Sequence, residues 1–595
     1  MNNYKIEIDY SKDSLFDEMG LRRLKDSYLK AEEKSPQDRY AFVANALASN
    51  QEHAQRLYNY LSDHWLSAST PILSYGVNKT GLPISCYLSY VDDSTKGLID
   101  VLQEIAMLSV LGGGVGIGIG IRAEDEKSVG VLPHAAVYEK ISTAFRQGKT
   151  RRGSFATYLD IDHPNIVEFV NMRNPQMTGD EDFRCFEMHH AINITDKFMQ
   201  IIEACMLDED ADDSWELIDP HTKEVKQVIS AKKLWEDIID LRMKTGEPML
   251  HFIDRSNEFL PAFFKNKGLK VRQSNICTEI TLVTDALRTA VCCLSSLNLV
   301  YWDLWKDNSQ FYEDVCEMLD NALEIFIKNA PPEVRKAVFS AEEERSIGIG
   351  VLGFHALLQS KNIPFESALA ASINHQIFSK LDFYTANANR KLALERGEAP
   401  IAKGYGVRFS HRTAVAPNAS SSIIMGNTSP SIEPFRSNAY RQDTLSGSYL
   451  NKNKYLDKII LEYVETLPEN SRKEIYDEIW DSIVVNGGSC RHLDFLSEWN
   501  KDVFKTFVEI DQAWVIQHAA DRQPFIDQAQ SLNLAFVPDE QISKIHDVHF
   551  KAWKMGLKTL YYCRSDKIYR GKSLNEKTSR VTFVKSVDET CLACE

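Results

Sequence analysis

The chain has 595 residues, with 68 basic against 84 acidic side chains and a formal net charge of −16. That balance argues against a nucleic-acid polymer or an anionic membrane surface as the main partner, but leaves room for small phosphorylated ligands in a local pocket. The opening stretch, MNNYKIEIDYSKD, is polar and has no signal-peptide core. A cytoplasmic protein is expected, with its eleven cysteines mostly reduced.

Up to residue 68 the pattern is helical. LRRLKDSYLKAEEK, DRYAFVANALASN and EHAQRLYNYLSDHW repeat apolar residues three and four apart. Short strand-like runs then alternate with helical stretches: ISCYLSYV, GVGIGIGI, GSFATYLDI, AVCCLSSLNLV, SIGIGVLGF, RTAVAP and KTLYYCRS. Alternation of this kind predicts an α/β architecture. Ile105–Ile121 carries no charge, yet six of its residues are glycine and its period changes from IAMLSVL to VGIGIGI. A buried helix running into a buried strand is expected there, not a membrane span. Pro164 in Asp162-His-Pro-Asn is expected to open a helix. A polar, basic segment from about residue 569 leads into the C-terminal sequence Cys591-Leu-Ala-Cys594-Glu595.

The terminal CxxC is a dithiol on a tether, suited to oxidation, movement and re-reduction by thiol–disulfide exchange. The alternative is half a zinc site, which needs a second CxxC or a suitably spaced His pair, and the sequence has neither. Gly348-Ile-Gly350-Val-Leu-Gly353 spells GxGxxG, but no clear strand precedes it and no well-spaced acid follows. Close strand–helix packing is the expected role. Pro417-Asn-Ala-Ser-Ser421 offers hydroxyls and backbone amides that could cradle an anion, or it is a plain serine loop. In Ser274-Asn-Ile-Cys-Thr-Glu279 an extended backbone would turn Asn275, Cys277 and Glu279 to one side. That set could hold two adjacent hydroxyls beside a reactive thiol; the alternative is a loop with a buried apolar Cys. Tyr561 and Tyr562 read as packed strand residues or as a redox relay.

Taken in order, STPIL, ISCYL, GGGVGIGI, QGKTRRGSFATYL, SNICTEI, VCCLSSLNL, SIGIGVLGF, PNASSS with IEP, DRQPFIDQAQSLNL, GLKTLYY and CLAC resemble the large catalytic subunit of class I ribonucleotide reductase from about Ser69 to the C-terminus. The resemblance implies a ten-stranded α/β barrel of two five-stranded parallel halves packed antiparallel. It would span 69–568, with a finger loop near 272–282, a helical region over 1–68 and a redox tail over 569–595.

The resemblance also implies roles. Cys277 would be the thiyl-radical cysteine that takes the 3′ hydrogen of a ribonucleotide. Glu279 would be the base on the 3′ hydroxyl, and Asn275 would hold the sugar hydroxyls. Cys86 and Cys292 would reduce the substrate and become a disulfide, with Cys293 a bystander. Cys591 and Cys594 would reduce that disulfide and pass it to thioredoxin or glutaredoxin. Thr70, Ser85, Gly114, Pro417, Asn418, Ala419, Ser420 and Ser421 would bind the substrate diphosphate.

Tyr561 and Tyr562 would relay a radical made on a separate small subunit, so that no metal or cofactor is expected in this chain. Asp93 and Ser94 match effector-binding positions, with Arg151 and Arg152 in the loop toward the substrate base. The loop after Gly120 is acidic and short for a dNTP or ATP site. A homodimer without an N-terminal ATP cone is expected. The alternatives are an adenosylcobalamin-dependent reductase of the same superfamily and a non-catalytic nucleotide-binding paralogue.

Overall fold

The computed structural model describes residues 4–77, 81–145, 154–174, 184–444 and 447–565. The N-terminal region is helical, with main helices at Glu18–Ser27, Pro36–Leu47 and Gln51–Ser62. Their starts follow from local chemistry. Asp17, Ser35 and Asn50 each accept a backbone N–H of the first turn, and Ser35 with Asp38 forms a reciprocal capping box.

The body is built on parallel strands. β1 (Cys86–Val91), β2 (Gly114–Ile119), β3 (Ser154–Asp160), β4 (His189–Ile194) and β5 (Met249–Phe252) pair in that order, all parallel. The second half starts with β6 (Ala290–Asn298) and its parallel neighbour β7 (Ile347–Leu352). Residues 413–415 bridge β7 in parallel, and Gln530 bridges Val415 in parallel. The chain at 530–534 then bonds to 559–562 through Leu532 and Leu534. It continues as β8 (Leu534–Phe536), which lies parallel to the final strand at Cys563–Ser565.

Two antiparallel seams close the ring: β6 against β1, and Thr559–Leu560 against β5. The expected ten-stranded barrel of two antiparallel-packed parallel halves is therefore the observed fold. Strands covered by helices outside and by a loop inside are buried on both faces, which explains their near-continuous apolar runs. β6 is buried at all nine positions. Val291, Cys293 and Leu297 enter the outer core, whereas Cys292 and Leu294 enter a second cluster inside the ring.

Residues 105–121 form the end of the helix Thr95–Val110 followed by β2, as expected. The GxGxxG run is β7 followed by Gly353, whose φ of 83° starts the helix Phe354–Ser360. A Cβ on Gly350 would lie 2.6 Å from Ala414 O, so close strand packing is the reason for that glycine. Pro164 does not open its helix: the helix runs Ile166–Asn171, because His163 Nδ1 accepts the Asn165 N–H in a turn that precedes it. Residues 439–444 and 447–504 have their own core around Leu456, Ile460, Trp480 and Phe504. No helix among the described residues is long and apolar enough to cross a membrane.

Candidate active site

A loop enters the ring between β5 and β6 and carries Asn275, Cys277 and Glu279, all fully buried. It is tied to both halves of the barrel. On one side Gln273 Nε2 donates to Ser89 O (3.0 Å), Tyr158 Oη to Asn275 O (2.6 Å) and Asn193 Nδ2 to Arg272 O (2.7 Å). On the other side Ala529 N–H donates to Glu279 O (2.9 Å) and Ser531 Oγ to Cys277 O (2.5 Å). The glycines of β2 make room for it. A Cβ on Gly116 would stand 2.0 Å from Ser274 O, and one on Gly118 would stand 2.5 Å from Gln273 Oε1.

The loop tip is a turn and not the extended segment expected from the alternation. Thr278 N–H donates back to Asn275 O (3.3 Å), and Thr278 has a φ of 67°. The Asn275 side chain helps fix the turn by accepting the Ile280 N–H at 3.1 Å. A positive φ at a β-branched residue is strained and persists only where the surroundings impose it.

Three thiols converge on the ring interior. Cys86 and Cys292 are directly opposed across the β1–β6 seam. Opposed residues in an antiparallel pair have Cα atoms about 4.5–5.5 Å apart, inside the range a disulfide spans. Both are free thiols and share one buried cluster with Cys277. Burial pushes the Cys292 thiol well above its ordinary range, keeping it protonated, while Gln528 Nε2 donates to its sulfur at 3.5 Å. Cys293 faces the outer core.

Tyr561 Oη donates to Cys277 Sγ at 3.4 Å. The Tyr561 and Tyr562 rings lie against each other with centroids 4.0 Å apart. Glu279 sits beyond Cys277, and its Oε2 accepts from Ser531 Oγ at 3.0 Å. Thiol, carboxylate and the two adjoining phenols, their rings tilted by 37°, thus form one continuous buried array.

A cavity beside the array is lined by Ser67, Ser69, Ser295, Ser296, Asn418 and Ser421, among others. Ser69 Oγ and Ser295 Oγ are buried there with no hydrogen-bond partner in the protein. Asn418 adopts the left-handed conformation and starts the short helix Ala419–Ile424, while its Nδ2 donates to Ser296 Oγ (3.0 Å). Pro417, Ala419 and Ser420 belong to the same loop. Thr70 follows the lining residue Ser69 in the chain, its Oγ1 3.1 Å from Tyr28 Oη. Ser85 and Gly114 meet through Gly114 N–H donating to Ser85 O (2.7 Å) at the start of the β1–β2 pair.

Sequence reasoning passed over Ser69, Ser295 and Arg23. Arg23 comes from the N-terminal helix Glu18–Ser27, and its Nη2 donates to Ser420 Oγ at 2.9 Å. An arginine on a helix surface has no motif, so nothing in the spacing of the chain marks it.

Asp93 and Ser94 lie at the far end of β1. Ser94 Oγ accepts the Gly97 N–H to cap the helix Thr95–Val110. Asp93 is ion-paired to Arg122 at 2.7 Å, so the acidic loop supplies a cation to this corner. Arg151, Arg152, Cys591 and Cys594 lie outside the described residues.

The fold and the array define a class: an α/β barrel that carries a buried cysteine on an internal loop beside an opposed pair of thiols. Comparison with known proteins agrees. The family description "Ribonucleotide reductase, barrel domain" matches residues 84–404 and 401–563, and "Ribonucleotide reductase, all-alpha domain" matches 14–81. The chain belongs to the ribonucleotide reductase large-subunit family.

Among its relatives is a protein of Invertebrate iridescent virus 3 named as a ribonucleoside-diphosphate reductase large subunit. It is 48% identical over 99% of this chain and 100% of its own length. A putative large subunit from Frog virus 3 is 43% identical over 91% of this chain and 93% of its own. Among solved structures, the class Id ribonucleotide reductase alpha subunit of Actinobacillus ureae superposes with a TM-score of 0.80 at 32% identity, covering 94% of this chain and 98% of that one.

Proposed function

We propose that the chain is the catalytic large subunit of a ribonucleoside-diphosphate reductase and makes 2′-deoxyribonucleotides by thiyl-radical chemistry. The observation that carries the mechanism is the meeting of Cys277, the Cys86–Cys292 pair and Glu279 in one buried site. Reduction at C2′ needs a hydrogen-abstracting radical, a base at the neighbouring hydroxyl and a two-electron dithiol; in this reading the internal loop supplies the first two through Cys277 and Glu279, and the β1–β6 seam supplies the third.

In this reading Cys277, oxidised to a thiyl radical through Tyr562 and Tyr561, takes the 3′ hydrogen. Glu279 takes the 3′ hydroxyl proton as the 2′ hydroxyl leaves as water with a proton given by the Cys86–Cys292 pair, and Asn275 holds the sugar hydroxyls. Burial keeps Cys292 protonated, so it enters the reaction as a thiol with a hydrogen to give. Cys86 and Cys292 end as a disulfide, which Cys591 and Cys594 reduce for thioredoxin or glutaredoxin. The radical comes from a separate small subunit, whose metal supplies the oxidising chemistry, and this chain contributes the relay of phenols and thiol. The adjoining tyrosines, with Tyr561 bonded to Cys277, favour this route over an adenosylcobalamin cofactor.

The serine cavity, with Thr70, Ser85, Gly114 and the Pro417–Ser421 loop, takes the diphosphate, and Arg23 adds a positive charge to it. Asp93, Ser94, Arg151 and Arg152 form the effector site. A second copy of the chain covers the neighbouring helical face, where Ile99, Val110, Val137 and Phe145 are exposed. The test is Cys277→Ala in the reconstituted holoenzyme. CDP reduction falls below detection while CDP binding persists; retained reduction would defeat the assignment.

A further inference from the structure

Tyr562, the outer phenol of the pair, has a second neighbour that the reaction scheme does not use. His189, the first residue of β4, places Nδ1 3.2 Å from Tyr562 Oη, with the two rings edge to face at 5.9 Å. The same Nδ1 lies 2.6 Å from Glu247 Oε1. Glu247 is 2% exposed. Its Oε2 accepts the His190 backbone N–H at 3.1 Å and lies 3.2 Å from His190 Nδ1, while Arg173 Nη1 stands 3.4 Å from Oε1. Arg564 lies over the Tyr562 ring at 5.3 Å.

An ionised carboxylate only accepts hydrogen bonds, so the tautomer assigned to His189 carries its proton on Nδ1. That N–H is then shared between Glu247 and the phenol oxygen. A phenoxyl radical has no proton of its own and can only accept. An N–H donor therefore serves Tyr562 equally well before and after oxidation, with no movement of its own proton.

We propose that His189, oriented by Glu247, is a positioning residue for radical transfer: it holds Tyr562 Oη by an N–H that persists in the phenoxyl state. This rests on reading Tyr562 and Tyr561 as the radical relay. The step it serves is Tyr562• + Tyr561–OH → Tyr562–OH + Tyr561•. One O–H bond breaks at Tyr561 and one forms at Tyr562, the electron moves with the proton, and His189 gains and loses nothing. Fixing the acceptor oxygen keeps the two phenols at the separation this exchange needs.

The test uses the holoenzyme with 3-aminotyrosine at position 562 to trap the radical. Electron–nuclear double resonance after exchange into D2O is expected to show a hydrogen-bonded deuteron on the phenoxyl oxygen, lost in His189→Phe and regained in His189→Asn. In chains with the natural Tyr562, His189→Phe lowers kcat about ten- to hundred-fold, the worth of one strong hydrogen bond. KM for CDP stays unchanged, and His189→Asn recovers part of the rate.

Absence of the exchangeable deuteron in the chain with His189 intact overturns the proposal, and needs no folded variant. So does wild-type turnover in His189→Phe, or a deuteron signal that survives in it. Tyr562→Phe separates the two readings. If it is inactive while His189→Phe is normal, only the His189 role fails; if it turns over normally, the relay itself is wrong.

Discussion

At the residue scale, the cavity proposed to hold the diphosphate is neutral, lined by serine hydroxyls and the Asn418 amide. Arg23 changes its character by bringing a fixed positive charge from a helix outside the barrel onto Ser420. A charge-assisted bond to phosphate is worth about 1.5–3 kcal/mol. Arg23→Ala should therefore raise KM for CDP about ten- to hundred-fold with little change in kcat, and Arg23→Lys should recover part of it. Steady-state kinetics at saturating CDP check this. A fall in kcat at unchanged KM would place Arg23 outside the phosphate site.

At the element scale, the site depends on how the internal loop is seated. Its strand-facing side lies where β2 has no side chains, since a Cβ on Gly116 would meet Ser274 O at 2.0 Å. Gly116→Ala must push the loop, and with it Cys277, away from the Cys86–Cys292 seam. A displacement of about 1 Å can cost on the order of 100-fold in rate. The expected result is a folded protein that binds CDP and turns over at least ten-fold more slowly, read by calorimetric binding beside a turnover assay; unchanged turnover would show that the loop has slack.

This element also shows what could be read from the chain. The glycines of GGGVGIGI, the thiols of ISCYL and VCCLSSLNL and the run SNICTEI were all legible as motifs, because each is local. The turn at Thr278 was not, since it is imposed by Tyr158 and by the Ala529–Ser531 segment, from two distant places in the sequence. Arg23, Ser69 and His189 were illegible for the same reason: each acquires a role only when distant elements meet.

At the scale of the whole molecule, buried charge is handled in two ways. Asp320 is contacted by Arg345, Arg396 and Arg408, and burial notwithstanding, Arg345 and Arg408 hold its carboxyl below the usual range. Glu344 is 1% exposed and neither carboxylate oxygen has a hydrogen-bond partner, with Arg288 Nε no nearer than 3.7 Å. Burial pushes its carboxyl up to about 8 from an ordinary 4.5.

The folded protein therefore holds a proton at Glu344 that the unfolded chain releases. Stability falls as pH rises from the unfolded value to the folded one, by up to about 1.4 kcal/mol per pH unit. Glu344→Gln removes that slope. Its melting temperature should exceed that of the parent increasingly from pH 5 to pH 8, and a constant difference would mean that Glu344 is charged throughout.

The barrel brings together groups from both halves of the chain, and the account rests on one consequence of that closure: β1 and β6 meet so that Cys86 faces Cys292 in the same buried cluster as Cys277. Single-turnover reduction of CDP by the holoenzyme, without external reductant and with the Cys591–Cys594 tail removed, followed by alkylation and mass-spectrometric mapping, tests it most directly. One Cys86–Cys292 disulfide should appear for each deoxycytidine diphosphate formed, with Cys277 and Cys293 recovered as thiols. Product formed with Cys86 and Cys292 still reduced, or with the disulfide at another pair, would contradict the account.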